Sequence, residues 1–289
     1  MSFPIPLHRL HAAFTTNNWT TAVVHVPLAD DALGVHKISQ PKTLTHRIVK
    51  LSASDGSREA WEAHYPAGSI NPSASIKGGF GFYLSGPPAF RTASGDAQEV
   101  IMGYDVMFEE GWEWAKGGKL PGIYGGIGEA AYGCSGGRQN ERCNCFDLRL
   151  MWRADGLGEL YAYIPLTATN KARLLAVPPF SHQNPDFGFS VGRGAWKFES
   201  ARWFRVMTRV KLNGIGEENG EVEVFIDGQS VIRIDGLSLR DDAASRIQGL
   251  HFQTFFGGNS ADWASPKDQR AWFASVSGAV VMSQPRDEL

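Results

Sequence analysis

Short runs in which apolar and polar residues alternate dominate the chain, and hardly any stretch carries the 3.6-residue period of an amphipathic helix. Period two marks a half-buried strand, because successive side chains leave opposite faces of a pleated backbone. Residues 98–108 (QEVIMGYDVMF) alternate for most of their length, and 202–212 (RWFRVMTRVKL) do the same. Residues 221–226 (EVEVFI) run into Asp227-Gly228, a hairpin turn pair, and 231–234 (VIRI) return from it. Further strands are expected at 21–26, 46–51, 60–65, 79–84, 146–153, 159–164, 250–256 and 271–282. Only 241–246 and 266–270 offer a helical turn or two. So many strands with almost no helix predict an all-β fold, two antiparallel sheets packed as a sandwich or β-jelly roll. No repeat, low-complexity tract or linker divides the sequence. A single domain over 46–285 is expected, with residues 1–45 packing on it as an N-terminal segment.

Composition removes several function classes. Twenty-eight Lys and Arg stand against 30 Asp and Glu, a formal net charge of −2, so the basic excess of a general nucleic-acid binder is missing. No apolar run approaches the roughly 20 residues of a membrane-spanning helix. Charged residues are only 20% and hydrophobic ones 43%, which excludes a disordered chain. The 33 glycines and the 17 Phe, 9 Trp and 7 Tyr suit a turn-rich β fold with a carbohydrate-sized cleft.

Cys134, Cys143 and Cys145 fall in the spacing C-x8-C-x-C, which lacks the paired ligands of a zinc site. A loop disulfide is expected instead, from Cys134 to either Cys143 or Cys145, leaving one odd thiol. The first residues, MSFPIPL, show no basic and apolar leader. Asn18-Trp19-Thr20 is a glycosylation sequon, and Arg286-Asp287-Glu288-Leu289 resembles an ER-retrieval tetrapeptide, better explained as a chance acidic tail.

Chemistry concentrates in two segments. KGGKLPGIYGG (116–126) is not a phosphate-binding loop, because the GxxxxGK[ST] spacing and a following helix are missing. It is either a basic surface turn or a stiff Gly/Pro frame that holds Lys119 against an anion. In FDLRLMWR (146–153) period two puts Asp147, Arg149, Met151 and Arg153 on one face and Phe146, Leu148, Leu150 and Trp152 on the other, the core face. After a Gly-containing turn the chain returns as ELYAYIP (159–165), so that Tyr161 and Tyr163 share a face and come beside Arg149 and Arg153. Lysine and arginine to hold a carboxylate, with two phenols at the ring, suit β-elimination at a uronic acid. The carboxylate is neutralised so that the C5 proton becomes acidic; a base removes it and an acid protonates the departing glycosidic oxygen. Tyrosine fits either part if nearby cations lower its pKa. A hydrolase needs paired carboxylates, and only Glu221-Val-Glu223 comes near that, on a strand that reads as a solvated face.

Three separated motifs, KGGKLPGIYGG, RLMWRADGLGELYAYIP (149–165) and FQTFFGG (252–258), resemble polysaccharide lyase family 14, especially its fungal members. YPAGSINPS (65–73) and the strand leading into Gly111-Trp-Glu-Trp114 fit as well, and the similarity covers roughly residues 60–280. The resemblance implies a β-jelly roll that cleaves a uronate polymer such as alginate or glucuronan by β-elimination, and it favours secretion; a monomer acting on an acidic polysaccharide without a cofactor or an obligate metal is expected. It places the catalytic lysine at Lys119, the arginine at Arg149 and the tyrosine pair at Tyr161 and Tyr163. Where the family has a serine two residues before that arginine, this chain has Asp147, a carboxylate that would repel a uronate unless Arg149 or Arg153 neutralises it. His64 and Gln98 are weaker candidates for substrate contact, and His251 and Gln253 flank the FFGG motif. Trp112, Trp114 and Trp263 are candidates to stack sugar rings, with Trp152 assigned to the core. The alternative on the same scaffold is a non-catalytic, lectin-like binder of anionic glycans.

Overall fold

A computed structural model describes residues 3–17, 23–53 and 56–282. Its strands in chain order are β1 (Leu10–Thr15), β2 (Val24–His25), β3 (Val35–His36), β4 (Ile48–Ala53), β5 (Gly56–Tyr65), β6 (Phe80–Leu84), β7 (Glu99–Phe108), β8 (Gly117–Gly126) and β9 (Cys145–Arg153), then β10 (Leu157–Tyr163), β11 (His182–Gln183), β12 (Phe189–Lys197), β13 (Trp203–Lys211), β14 (Gly220–Ile226), β15 (Gln229–Leu237), β16 (Arg246–Phe256) and β17 (Gln269–Val281). They form two sheets packed face to face in one domain, the sandwich that the alternation predicts. One sheet runs β15-β14-β13-β7-β17-β1-β2, with the β4–β5 hairpin also on β17; the other runs β11-β12-β10-β9-β8-β16-β6-β3. All ladders are antiparallel except β1–β2. The thirteen-residue β17 pairs β7 along one edge and, on the other, β5 through its first half and β1 through its second. Chain preceding residue 46 thus adds strands to both sheets: β1 lies on β17 and β3 on β6. The sequon at 18–20, the tetrapeptide at 286–289 and the start of the strand expected at 21–26 lie outside the described residues.

Aromatic rings fill the space between the sheets. Phe80, Phe82 and Phe252 stack at 5.3–6.0 Å, with Trp61 edge-on to Phe82 and Phe252. Phe256, Trp112 and Trp152 make a second group around Tyr65. Full burial of such a side chain contributes about 1.5–3 kcal/mol by removing apolar area from water. Trp112 and Trp152 are therefore core residues, and Trp114 packs against the same cluster.

The segment 116–126 is not a surface turn: its residues 117–126 are β8, a central strand buried throughout. Its glycines permit this. A Cβ on Gly118 would stand 2.1 Å from Trp152 Cζ2, and one on Gly122 would stand 1.9 Å from the Leu148 carbonyl oxygen. Pro121 is the extra residue of a bulge, since Leu120 faces Leu150 while Gly122 faces Arg149. A proline has no N–H to give to the ladder, so a bulge accommodates it. The bulge resets the alternation, so that Lys119 and Tyr124, five residues apart, leave the same face. From the opposite sheet the Tyr104 hydroxyl donates to the Pro121 carbonyl at 3.0 Å.

The expected helical turns at 241–246 and 266–270 are not helical. The Asp242 carboxylate takes the Ala244 N–H at 2.7 Å in a side-chain-closed turn, and β16 begins at Arg246. The Asp268 carboxylate is engaged by the Ala67 N–H at 2.7 Å, and β17 begins at Gln269. The α-helices among the described residues are instead α1 (Pro88–Gly95) and α2 (Ala168–Leu175), each eight residues. Proline at the start of α1 and the Thr167 cap on the Asn170 N–H explain where they begin. Two turns are too short for a helical period to show.

Gly118→Ala is expected to lower stability by about 1–3 kcal/mol through overpacking against Trp152. Urea unfolding should show a lower midpoint at an unchanged slope.

Candidate active site

The outer face of the β10-β9-β8-β16 region collects the chemistry. Register puts Tyr161 opposite Arg149 and Tyr163 opposite Asp147 across β9–β10. Across β8–β9, Lys119 faces Met151, and across β8–β16, His251 faces Gly122. Asp147, Arg149, Met151 and Arg153 leave β9 on the face opposite Phe146, Leu148, Leu150 and Trp152, as period two requires. Neither face is solvated, for Asp147 and Arg149 are each 2% exposed and Lys119 is 8% exposed.

A disulfide between Cys134 and Cys145 settles the pairing and leaves Cys143 as an exposed thiol. It packs with Met151, Tyr161 and Tyr163, so it pins the 134–145 loop over the phenols. The Arg142 guanidinium lies 5.4 Å from the Tyr163 ring centroid and reaches the Phe187 carbonyl at 3.5 Å, and Gln139 donates to the Pro185 carbonyl at 2.6 Å. The loop preceding β12 is thus tied to the disulfide loop. Glycine at 188 lets its backbone close on both tyrosines: a Cβ there would meet Tyr163 at 3.1 Å and Tyr161 at 3.2 Å.

Lys119 Nζ donates to Met151 Sδ at 3.1 Å and lies 3.3 Å from the Tyr161 ring centroid. Burial, reinforced by Arg149 and Arg153, pushes its pKa well below the ordinary lysine value, although Glu159 and Asp147 oppose the shift. Arg149 Nε donates to the Leu120 carbonyl at 3.1 Å, Nη1 to Gln253 Oε1 at 3.2 Å, and Nη2 to the Gln253 carbonyl. These bonds hold the guanidinium in place without a carboxylate. Arg153 pairs with Glu159 at 2.5 Å, and Arg193 and Ser190 engage the same carboxylate at 2.7 and 2.6 Å. Burial favours protonation of Glu159, but Arg153, Ser190 and Arg193 outweigh it and hold the carboxyl below its usual range. Arg149, Arg153 and Arg193 against Asp147 and Glu159 leave the face net positive before Lys119 is counted.

Burial also pushes both phenols upward, and the arginines do not reverse it. The expectation that cations lower the tyrosine pKa is therefore corrected: desolvation wins, and Tyr161 and Tyr163 stay protonated at neutral pH. The condition set for Asp147, neutralisation by Arg149 or Arg153, is not met. Neither arginine reaches it; the partner is His251, whose Nδ1 lies 2.7 Å from Asp147 Oδ2. Burial, with Arg149, pulls the His251 pKa below the ordinary histidine value despite that carboxylate.

Residues 53–276 match the family model described as polysaccharide lyase 14. The chain belongs to polysaccharide lyase family 14. The PL-14 alginate lyase of Aplysia kurodai is 32% identical, over 86% of this chain and 90% of that one, with a TM-score of 0.71. The alginate lyase vAL-1 from Chlorella virus is 21% identical over 86% and 93% of the two chains, TM-score 0.66. The fold is shared further with alginate lyase Aly36B, whose variant was solved with an alginate tetrasaccharide; identity is 18% over 78% and 82%, TM-score 0.58. A search of curated proteins returned no match.

In this family 14 chain the structure brings together Lys119, Arg149, Tyr161, Tyr163, Asp147, Arg153, Gln253 and His251. It does not bring His64 or Gln98 to them. His64 alternates with the core residues Ala63 and Tyr65 on β5 and faces outward from the other sheet, while Gln98 precedes β7 and accepts from Arg240 at 2.8 Å. Proximity in sequence to the YPAGS turn carried no spatial information. Of the candidates Trp112, Trp114, Trp152 and Trp263, the last borders the site, with the Arg153 guanidinium 5.7 Å from its ring. Glu221 and Glu223 both pair with Arg209 on the far sheet, away from this face. No group of three or more His, Cys, Asp or Glu among the described residues is placed to hold a metal ion. Sequence reasoning missed Glu159 and Arg193. Glu159 lies two residues before Tyr161 and so on its face, a legible signal; Arg193 comes from the glycine-interrupted β12.

A thiol reagent should titrate one cysteine in the native protein, Cys143, and three after reduction and unfolding. Cys145→Ser is expected to cost on the order of 2–3 kcal/mol for the opened loop, read by urea unfolding, whereas Cys143→Ser should change nothing.

Proposed function

We propose that the chain is a polysaccharide lyase that cleaves a uronic-acid polymer by β-elimination, with an alginate-type polymer as the first candidate and glucuronan as the second. The observation that carries this reading is a fixed guanidinium and a buried amine, neither spent on a carboxylate of the protein, on the face that holds two protonated phenols. An incoming uronate carboxylate supplies the missing anion. Arg149, held by Leu120 and Gln253, meets it as a permanent charge, and the carboxylate in turn favours protonation of Lys119. The neutralised carboxylate stabilises the negative charge that develops as the C5 proton leaves. Tyr161 and Tyr163, kept protonated by burial, are suited to donate to the departing glycosidic oxygen. The 32% identity to the Aplysia kurodai alginate lyase supports the alginate-type substrate.

These side chains supply the neutralising charge, so the reaction is proposed to run without an obligate metal and to keep its rate in a chelator. The second reading, an anionic-glycan-binding protein, is favoured by Asp147, which sets a carboxylate in the site where the family has serine.

Lys119→Ala and Tyr163→Phe should each lower kcat/KM by about 10²-fold or more, measured as the ultraviolet absorbance of the C4–C5 double bond formed next to the carboxylate. Unchanged rates in both would contradict the assignment. The sign of the pH response follows from Lys119, which must be protonated to pair with the carboxylate. Activity should fall as pH rises through its depressed pKa, so the basic limb of kcat/KM lies well below the ordinary lysine value of about 10.4. Initial rates across the alkaline range check this, and a limb at or above that value would refute the role.

A further inference from the structure

On the lyase reading, the phenols remain protonated and Lys119 serves the carboxylate, which leaves the group that accepts the C5 proton unassigned. His251 sits where such a group is required. The C5 carbon is one bond from the uronate carboxyl carbon, so its base has to stand beside the carboxylate clamp. Arg149 is that clamp, and it is bound to Gln253, two residues along β16 from His251 on the same face. His251 in turn stands opposite Gly122, which stands opposite Arg149. Glycine at 122 puts no side chain between β16 and β9, and the imidazole reaches across β8 to Asp147 at 2.7 Å.

That contact decides the tautomer. An ionised carboxylate only accepts, so the imidazole's proton sits on Nδ1 and the lone pair on Nε2. Nε2 makes no hydrogen bond to a described residue, and it is not among the buried polar atoms left without a partner. Asp147 Oδ1 is one of those atoms, so the carboxylate's hydrogen bonding is spent on His251. The ring is held flat against Tyr83, with centroids 4.3 Å apart and planes 14° apart. A carboxylate that fixes tautomer and ring orientation while the distal nitrogen stays free is the orienter–base arrangement of acid–base catalysis.

We infer that His251 is the catalytic base of the elimination and that Asp147, in the position of the family serine, is the residue that positions it. The Nε2 lone pair takes the C5 proton, and the C5–H electron pair becomes the C4–C5 double bond. The C4–O bond breaks with its electrons on the glycosidic oxygen, which receives the proton of Tyr161 or Tyr163. The histidinium then returns a proton to the phenolate directly or through water. Base and acid stand on opposite flanks of Arg149, on β16 and β10.

The test uses His251→Gln, His251→Ala and Asp147→Asn in the full chain, on whichever of polymannuronate, polyguluronate and glucuronan the wild type cleaves. His251→Gln should lower kcat by about 10²–10⁴-fold with KM changed by no more than about threefold. Imidazole in the buffer should restore part of the turnover of His251→Ala, which a structural role would not allow. The charged and titratable groups around His251 are Asp147 and Arg149 on β9, Lys119 on β8 and Tyr83 on β6. Among them Asp147 favours the imidazolium, so Asp147→Asn, which keeps the shape and removes the charge, should move the acid limb of the kcat–pH profile to lower pH. A wild type that cleaves while His251→Gln keeps kcat within about threefold, or an acid limb unmoved in Asp147→Asn, overturns the dyad and leaves the lyase reading standing. If His251→Gln does not fold, Asp147→Asn decides alone. A wild type that cleaves none of the polymers overturns both.

Discussion

A lysine amine buried without a carboxylate partner in contact is the constraint around which this sheet face is organised. Taking an ammonium out of water costs several kcal/mol unless something compensates. The chain does not compensate Lys119 with an acid; it gives it a thioether and the face of a phenol, and two arginines nearby raise the cost further. The amine is therefore held in a state that an arriving anion relieves. The two acids on the same face are committed elsewhere, Glu159 to Arg153 and Arg193, Asp147 to His251. Placement of charge thus leaves one unfilled role, the one proposed for a uronate carboxylate.

Packing makes that placement possible. Lys119 and Tyr124 share the site face because Pro121 forms a bulge in β8, and β8 lies close against β9 because glycines take the positions where Trp152 and the Leu148 backbone approach. Behind the site, the aromatic core fixes the sheet that carries it. In front, a disulfide-anchored loop and the segment preceding β12 cover the tyrosines, and this desolvation keeps the phenols protonated. Cover and chemistry are the same feature seen from two sides.

Alternation made the sandwich legible, because strands with one core face announce themselves in period two. It also put Asp147, Arg149, Met151 and Arg153 on one face, and the register then placed the tyrosines beside them. The central strand β8 was not legible as a strand, since its glycines and proline read as a turn; only its neighbours show that small residues are what close approach demands. His64 was misplaced because sequence proximity does not say which sheet a strand joins. The Asp147–His251 contact joins residues 104 apart through an intervening strand, and no local pattern encodes it. The raised phenol pKa values depend on loops that cover the face, which a strand pattern does not reveal.

The central claim is that the glycosidic bond breaks by elimination on this face. The most direct test is mass spectrometry of the products of an alginate oligosaccharide incubated with the protein in isotopically labelled water. Elimination adds no water, so the account predicts an unsaturated non-reducing-end uronate one water lighter than a hydrolysis product, with no label at the cleaved bond and no such product from Lys119→Ala. Label incorporated at the new reducing end without unsaturation would contradict it.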